Sequence, residues 1–109
     1  MHVLAMAVEL HLPASRSLKE KRSVLRPVVE GIRSRFAVAV AETGHQDLLQ
    51  RAQVGVAAVS SSPKIAIEVM DEVERFVWSF PELEVLSANR YWAEEDGVYR
   101  PDEDERDGI

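Results

Sequence analysis

The spacing of the apolar residues changes several times along this 109-residue chain, and these changes limit the folds that it can adopt. Residues 3–12 alternate between larger and smaller side chains, which is typical of a strand with one buried face. Residues 18–36 then carry apolar side chains at helical spacing, and alternation returns at residue 36. The whole pattern predicts strand, helix, strand, strand, helix and strand over residues 3–12, 18–36, 36–42, 51–59, 63–80 and 83–92.

Local signals mark where both helices begin. Ser17 and Glu20 match a capping box, in which the serine accepts from the amide of residue 20 and the glutamate reaches back. Ser62 is a favoured N-cap residue, and proline suits the first helical position that follows it. Pro27 lies inside the first helical stripe and cannot donate a backbone hydrogen bond, which favours a kink near Arg22 or a break. Because the stripe continues in phase beyond this proline, we expect one helix.

Two helices and four strands in this order favour a ferredoxin-like βαββαβ fold. Each helix has one apolar stripe, and both stripes can be buried together against one face of a four-stranded antiparallel sheet. We therefore expect a single α+β domain over residues 1–93, with the other face of the sheet left open. The open face is expected to carry small residues, namely Ala5, Ala7, Ala39, Gly55 and Ala57.

Charge is distributed unevenly along the chain. Residues 94–109 hold eight acids and two arginines, so their net charge is −6, the same as the formal net charge of the whole chain. Residues 16–35 hold seven Lys and Arg against two Glu, so a neutral body carries a basic segment and an acidic tail. The tail has no periodicity and is expected to be disordered. We also expect its charge to shield the basic segment.

The composition excludes several classes of protein. The chain has no cysteine, so it has no disulfide, thiolate nucleophile or thiolate metal site. Its apolar runs are far shorter than the ~20 residues that span a bilayer, and no basic segment precedes the first of them. We therefore expect no membrane segment, no signal peptide and a cytoplasmic location. His2 and His11 have opposite strand parity, and neither a metal nor another cofactor is expected.

Two segments resemble a known family. LPASRSLKEKRSVL follows the first strand and contains the motif Ser17–Arg22. FAVAVAETGHQDLLQRAQVGVAAVS crosses the predicted hairpin and contains Ala41-Glu42, His45–Asp47 and Gln50-Arg51. Over residues 3–90 the chain resembles the YlxP-like family of small bacterial proteins of unknown function. The resemblance implies a ferredoxin-like fold and no established activity. Genes of this family tend to lie among translation and ribosome-assembly genes, which implies a role near RNA.

The basic segment forms a ribbon on the first helix. Four cations lie within a sector of about 60° around the helix axis, beside the apolar stripe, and they extend along about 21 Å of the helix. They are Lys19, Arg22, Arg26 and Arg33. Such a line suits a phosphodiester backbone, and arginine can bind phosphate through two hydrogen bonds. The predicted RNA or phosphate contacts are Arg16, Lys19, Lys21, Arg22, Arg26 and Arg33. A solvated flank of an amphipathic helix explains the same pattern, because Lys and Arg are good helix formers. Pairing of the ribbon with acids elsewhere, including those of the tail, is a further alternative, and both stay open.

Polar side chains are concentrated at the predicted hairpin. They are Glu42, His45, Gln46, Asp47, Gln50 and Arg51. Such residues commonly fix a turn, and we expect Arg51 to bridge Glu42 or Asp47 across the strands. A contact with a partner is the alternative, and its candidate residues are Glu42, His45, Gln46, Asp47 and Arg51. Acid–base catalysis by the two carboxylates and the histidine is the weakest hypothesis, because no nucleophile or phosphate loop accompanies them.

Two further surfaces are candidates for a partner. Trp78 and Ile67 lie off the buried stripe of the second helix, which predicts either a contact surface or cover from Tyr91 and Trp92. The small residues of the open sheet face would let a second copy approach closely. The leading hypothesis is a non-enzymatic protein that binds RNA or the ribosome. The rival hypothesis is a homodimeric regulatory module that responds to a ligand.

Overall fold

The computed structural model describes residues 1–93, so the predicted acidic tail over 94–109 lies outside the described residues. Six elements follow in the predicted order: β1 (His2–His11), α1 (Leu18–Arg35), β2 (Ala39–Gly44), β3 (Arg51–Ser60), α2 (Pro63–Trp78) and β4 (Glu84–Trp92). Neither helix in this part of the chain is long and apolar enough to cross a bilayer.

The four strands form one antiparallel sheet in the order β2-β3-β1-β4. β1 lies in the interior of the sheet and pairs with β3 along its whole length, from His2 opposite Ser60 to His11 opposite Arg51. Both helices pack on one face of this sheet, and the other face is open. The predicted ferredoxin-like fold, with two helices on one side of an antiparallel sheet, is therefore confirmed.

The core lies between the sheet and the helices, and the alternation in β1 sets its position. Leu4, Met6, Val8 and Leu10 are buried on the helix side of the sheet, as the alternating pattern predicts. They pack with further buried residues from both helices, namely Val28, Ile32, Met70, Val73 and Val77. Each side chain of this size stabilises the fold by about 1.5–3 kcal/mol when it is fully buried.

The predicted boundary between α1 and β2 is wrong by three residues. Phe36 caps the C-terminus of α1, where its amide donates to Ile32 O at 3.1 Å, and β2 begins only at Ala39. Packing explains the difference, because the Phe36 ring lies edge-to-face against Phe76 of α2, 5.9 Å between ring centroids. The helix runs through Pro27 without a break, as expected. Leu18 is 47% exposed and therefore lies outside the buried stripe that the sequence predicted for it.

A close approach of the helices fixes how α1 is rotated. A Cβ atom on Gly31 would lie 2.4 Å from Cζ of Phe76, so any larger residue there would push the Phe76 ring out of its present position against α1. Because Gly31 and the cationic ribbon lie on different flanks of α1, the ribbon is turned away from α2 and towards β2.

Candidate functional site

A groove of ≈ 450 Å³ runs between α1 and the edge strand β2. Its apolar surface comes mainly from Leu18, Leu25, Val29 and Ala41. Its polar and charged side chains include Arg22, Arg26, Glu30, Arg33, Glu42 and Gln46. The groove therefore combines an apolar floor with several charged groups, three of which are arginines on one flank of α1.

Four of the predicted cations are exposed and available. Arg16, Lys19, Arg22 and Arg26 make no side-chain hydrogen bond or ion pair within residues 1–93. Arg22 and Arg26 both line the groove, one helical turn apart. Pairing with acids of residues 1–93 is therefore wrong for these four side chains, whereas their exposure is equally what a solvated helix flank predicts, and the acids of the tail lie outside the described residues.

Arg33 differs from the other ribbon cations, since it is already engaged. Its guanidinium pairs with Glu30 at 3.0 Å and also donates to Val40 O at 3.3 Å. The Glu30 contact joins side chains three residues apart on the exposed helix surface, where such pairs contribute little to stability. Arg33 therefore remains at the groove, but it neutralises a carboxylate there instead of adding to the excess of positive charge.

Lys21 was predicted as a phosphate contact, and the structure contradicts this role. Lys21 is only 3% exposed. Its Nζ donates to His45 O and Leu48 O, each at 2.8 Å, and lies 3.1 Å from Glu42 Oε2. A buried ammonium group needs this set of acceptors, because an uncompensated buried charge is strongly unfavourable. Lys21 thus fastens the hairpin after β2 to α1 and has no surface to offer a ligand.

The start of α1 is capped as the sequence predicts. Ser17 Oγ accepts from the amide of Glu20 at 3.1 Å, which satisfies one of the free donors at the helix N-terminus. The Glu20 carboxylate lies 3.4 Å from the same hydroxyl. It therefore contacts the side chain of Ser17, and not the backbone amide as the capping-box pattern predicts. This cap fixes the first turn, from which the exposed cations extend.

A second polar cluster, on the open face of the sheet, is centred on Glu9. One carboxylate oxygen of Glu9 lies 2.7 Å from His45 Nε2 and 2.9 Å from an amino group of Arg51. The other oxygen accepts from Gln53 at 2.6 Å. Sequence reasoning missed Glu9 as a partner, although the alternation in β1 placed it on the open face. The prediction that Arg51 bridges Glu42 or Asp47 is therefore wrong, because its partner is Glu9.

The hairpin side chains do not converge on one catalytic centre. Glu42 lies on the helix side of the sheet beside Lys21, whereas the His45 ring contacts Glu9 on the open side. Asp47 is exposed, and its side chain makes no hydrogen bond or ion pair among residues 1–93. His45 has a φ of 60°, a left-handed conformation that is uncommon for a residue other than glycine. Its carbonyl and ring are held by Lys21 and Glu9 respectively, which accounts for this conformation.

The Glu9 cluster makes stability depend on pH. Burial by itself raises the pKa of Glu9, but the hydrogen bonds from Gln53, His45 and Arg51 together lower it by more. The net pKa of Glu9 therefore lies below the usual 4.5. The ionised carboxylate therefore stabilises the fold above about pH 4.5, and this contribution is lost as the pH falls through the folded-state pKa.

We expect Glu9→Gln to lower the free energy of unfolding by about 1–2 kcal/mol at pH 7. The difference in the free energy of unfolding between the variant and the wild type should shrink in acid, where Glu9 is protonated. Urea unfolding at several pH values measures this difference, and a difference that stays constant with pH would contradict the prediction.

The remaining candidate surfaces are exposed. Trp78 is 60% and Ile67 41% exposed. Of the two residues named as alternative cover, Tyr91 is itself 60% exposed and Trp92 packs against the core. A shallow groove of ≈ 370 Å³ on the open sheet face is lined by small residues that include Ala5, Ala7 and Gly55. Within residues 1–93, no group of three or more His, Asp or Glu side chains is arranged to hold a metal ion.

Strand order, register and helix placement put the chain in the class of ferredoxin-like α+β domains. Residues 3–90 match the family described as "Protein of unknown function (DUF503)", and the chain belongs to this family. It is 41% identical over 76 residues to "Uncharacterized protein YlxP" of Bacillus subtilis (strain 168), across 70% of this chain and 83% of that protein. The predicted YlxP-like relationship is therefore confirmed. A de novo designed protein with ferredoxin fold has a TM-score of 0.53 at 9% identity over 92% of both chains, a likeness in fold alone.

Proposed function

We propose that this protein binds RNA, free or within the ribosome, through the phosphates that its first helix can contact. Arg22 and Arg26 carry the proposal, because they are exposed, aligned along one groove and unpaired among the described residues. Arginine matches phosphate with two parallel hydrogen bonds, and phosphate contacts dominate the affinity of proteins for nucleic acid. A cytoplasmic location, where ribosomes are found, is part of the proposal. The role is one of binding, with no chemical step.

The charge of the groove supports an anionic ligand. Glu30 is neutralised by Arg33, and Glu42 is neutralised by Lys21. Arg22 and Arg26 therefore leave two positive charges in excess among the groove residues. Lys19 and Arg16 extend the positive surface towards the N-terminus of α1, where free backbone amides also favour anions.

A salt titration of RNA binding tests this function. Four phosphate contacts, from Arg16, Lys19, Arg22 and Arg26, predict a slope of about −3 when the logarithm of the affinity is plotted against that of the salt concentration. Fluorescence anisotropy of a labelled single-stranded RNA would measure this slope for the full chain. Absence of measurable affinity for RNA or for isolated ribosomes at low salt would reject the proposal.

The acidic tail is expected to weaken RNA binding at low ionic strength. Residues 94–109 carry a net charge of −6 and compete with phosphate for the cations of α1. Removal of these residues should raise the affinity for RNA several-fold at low salt, and the gain should fade near 1 M salt, where the Debye length is about 3 Å. The same titration with the shortened chain measures this effect, and identical affinities at low salt would exclude shielding by the tail.

Self-association through the open sheet face is the second candidate, as a homodimeric module that responds to a ligand. Small side chains line the shallow groove on this face, and no helix covers it within the described part of the chain. A second copy could therefore pack closely on it. Light scattering would report a dimer, and Ala57→Arg should return it to the monomer. A strict monomer at high protein concentration would exclude this candidate.

A further inference from the structure

We propose that the groove between α1 and β2 holds one unstacked base of a single-stranded RNA, while phosphates on either side of that base contact Arg22 and Arg26. The inference rests on the proposed function and adds to it the kind of RNA that is bound. Three features of the groove carry it, namely its shape, its balance of charge and the polar groups at its hairpin end.

The shape of the groove suits a flat ring. Its volume of ≈ 450 Å³ falls within the ~300–1,000 Å³ that is usual for sites that bind small molecules. Leu25 and Val29 form an apolar floor along α1, and the small side chain of Ala41 leaves space on the β2 side of the groove. A phosphate group alone gains nothing from an apolar floor, whereas the face of a base does. In double-stranded RNA the bases are stacked and paired, so only an unpaired base can enter.

The charges are arranged around this floor. The two carboxylates that line the groove already have their own cations, Arg33 and Lys21. Arg22 and Arg26 stand beside the floor and lie about 6 Å apart along the helix axis. A base on the floor would thus lie next to the two cations that have no partner in residues 1–93. An acidic peptide would use the same cations, but it offers no planar ring to the apolar floor.

The hairpin end of the groove offers hydrogen-bonding groups to the edge of a base. Gln46 Nε2 makes only a long contact of 3.4 Å to Glu42 O, so it can exchange this contact for an acceptor on a base. Glu42 Oε2 is enclosed beside Lys21 and is closed to a ligand, so the Gln46 amide is the group that meets the edge of a base here.

The experiment compares two probes that carry the same phosphates. One is a labelled single-stranded RNA of mixed sequence, and the other is an oligomer of equal length built from abasic ribose phosphates. We expect the wild-type full chain to bind the abasic oligomer about tenfold more weakly in fluorescence anisotropy at low salt. Equal affinity for both probes would overturn the inference and leave the proposed function intact. Failure to bind either probe would overturn both.

A floor variant and a competitor complete the test. Val29→Gln keeps the charge but makes the floor polar, so it should bind the two probes alike, with wild-type affinity for the abasic oligomer. Wild-type affinity for the abasic oligomer would also show that the variant is folded. If the variant does not fold, the comparison of the two probes with the wild-type chain tests the inference by itself. A polyglutamate peptide of equal charge should compete poorly with the RNA. Competition as effective as that of unlabelled RNA would overturn the inference in favour of an acidic peptide.

Discussion

Lys21→Met is expected to lower the free energy of unfolding by about 3 kcal/mol, because it removes a buried cation and leaves its partners behind. His45 O and Leu48 O each lose a donor at 2.8 Å, and Glu42 loses its counter-ion at 3.1 Å. Methionine is similar in length and apolar, so the variant removes the charge without leaving a large cavity. Urea unfolding at pH 7 measures the loss.

Lys19→Met provides the matched control for this prediction. Lys19 lies two residues earlier on the same helix, is exposed and has no side-chain partner in residues 1–93. Its replacement should change the free energy of unfolding by less than about 0.5 kcal/mol. If both variants lost the same stability, Lys21 would not hold the hairpin to α1 and its assignment as a structural residue would be incorrect.

The order of the elements was predictable because each period of the apolar residues reports a local geometry. Alternation in β1 and helical spacing in α1 depend on neighbouring residues, so a single sequence contains them. The boundary at Phe36 was not predictable in this way. Its side chain fits both patterns, and contact with Phe76, forty residues away, decides between them.

Lys21 was open to prediction from the same helical count that found the ribbon. At 100° per residue from Leu18, Lys21 falls at about 300°, between Val28 at about 280° and Ile32 at about 320°. Both of these residues are fully buried, and a lysine between them must be buried or displaced. Lys21 shares its charge and its place in the sequence with the exposed cations, but its angle on the helix separates it from them.

The Glu9 cluster required information that the sequence does not contain. Glu9 on β1 meets Gln53 because the register of β1 and β3 pairs these two positions. His45 comes from a loop in the left-handed conformation, and its ring reaches across two strands. Register between distant strands depends on the whole sheet, so only the fold identifies Arg51 and His45 as partners of Glu9.

Reversing the charge of the groove arginines should have the largest effect on function. In Arg22→Glu with Arg26→Glu, two contacts to phosphate are lost and two carboxylates are placed in their positions. Each charge-assisted hydrogen bond is worth about 1.5–3 kcal/mol, so the loss of two should lower the affinity for single-stranded RNA at least about 100-fold at low salt. Both side chains are exposed and unpaired in residues 1–93, so the fold should be retained, which thermal unfolding would verify.

A second double variant separates the site from the net charge. Lys64→Glu with Arg75→Glu changes the charge of the chain by the same amount on α2, where both side chains are exposed. It should change the affinity for RNA less than about threefold, because its effect acts only through the long-range field. Both double variants and the wild type are to be compared with one RNA at one salt concentration.

This comparison measures most directly whether the groove face of α1 is the surface that binds phosphate. We predict a loss of at least about 100-fold for the α1 variant and nearly wild-type affinity for the α2 variant. Equal losses in the two variants, or unchanged affinity in the α1 variant, would contradict the account and place any RNA contact elsewhere on the protein.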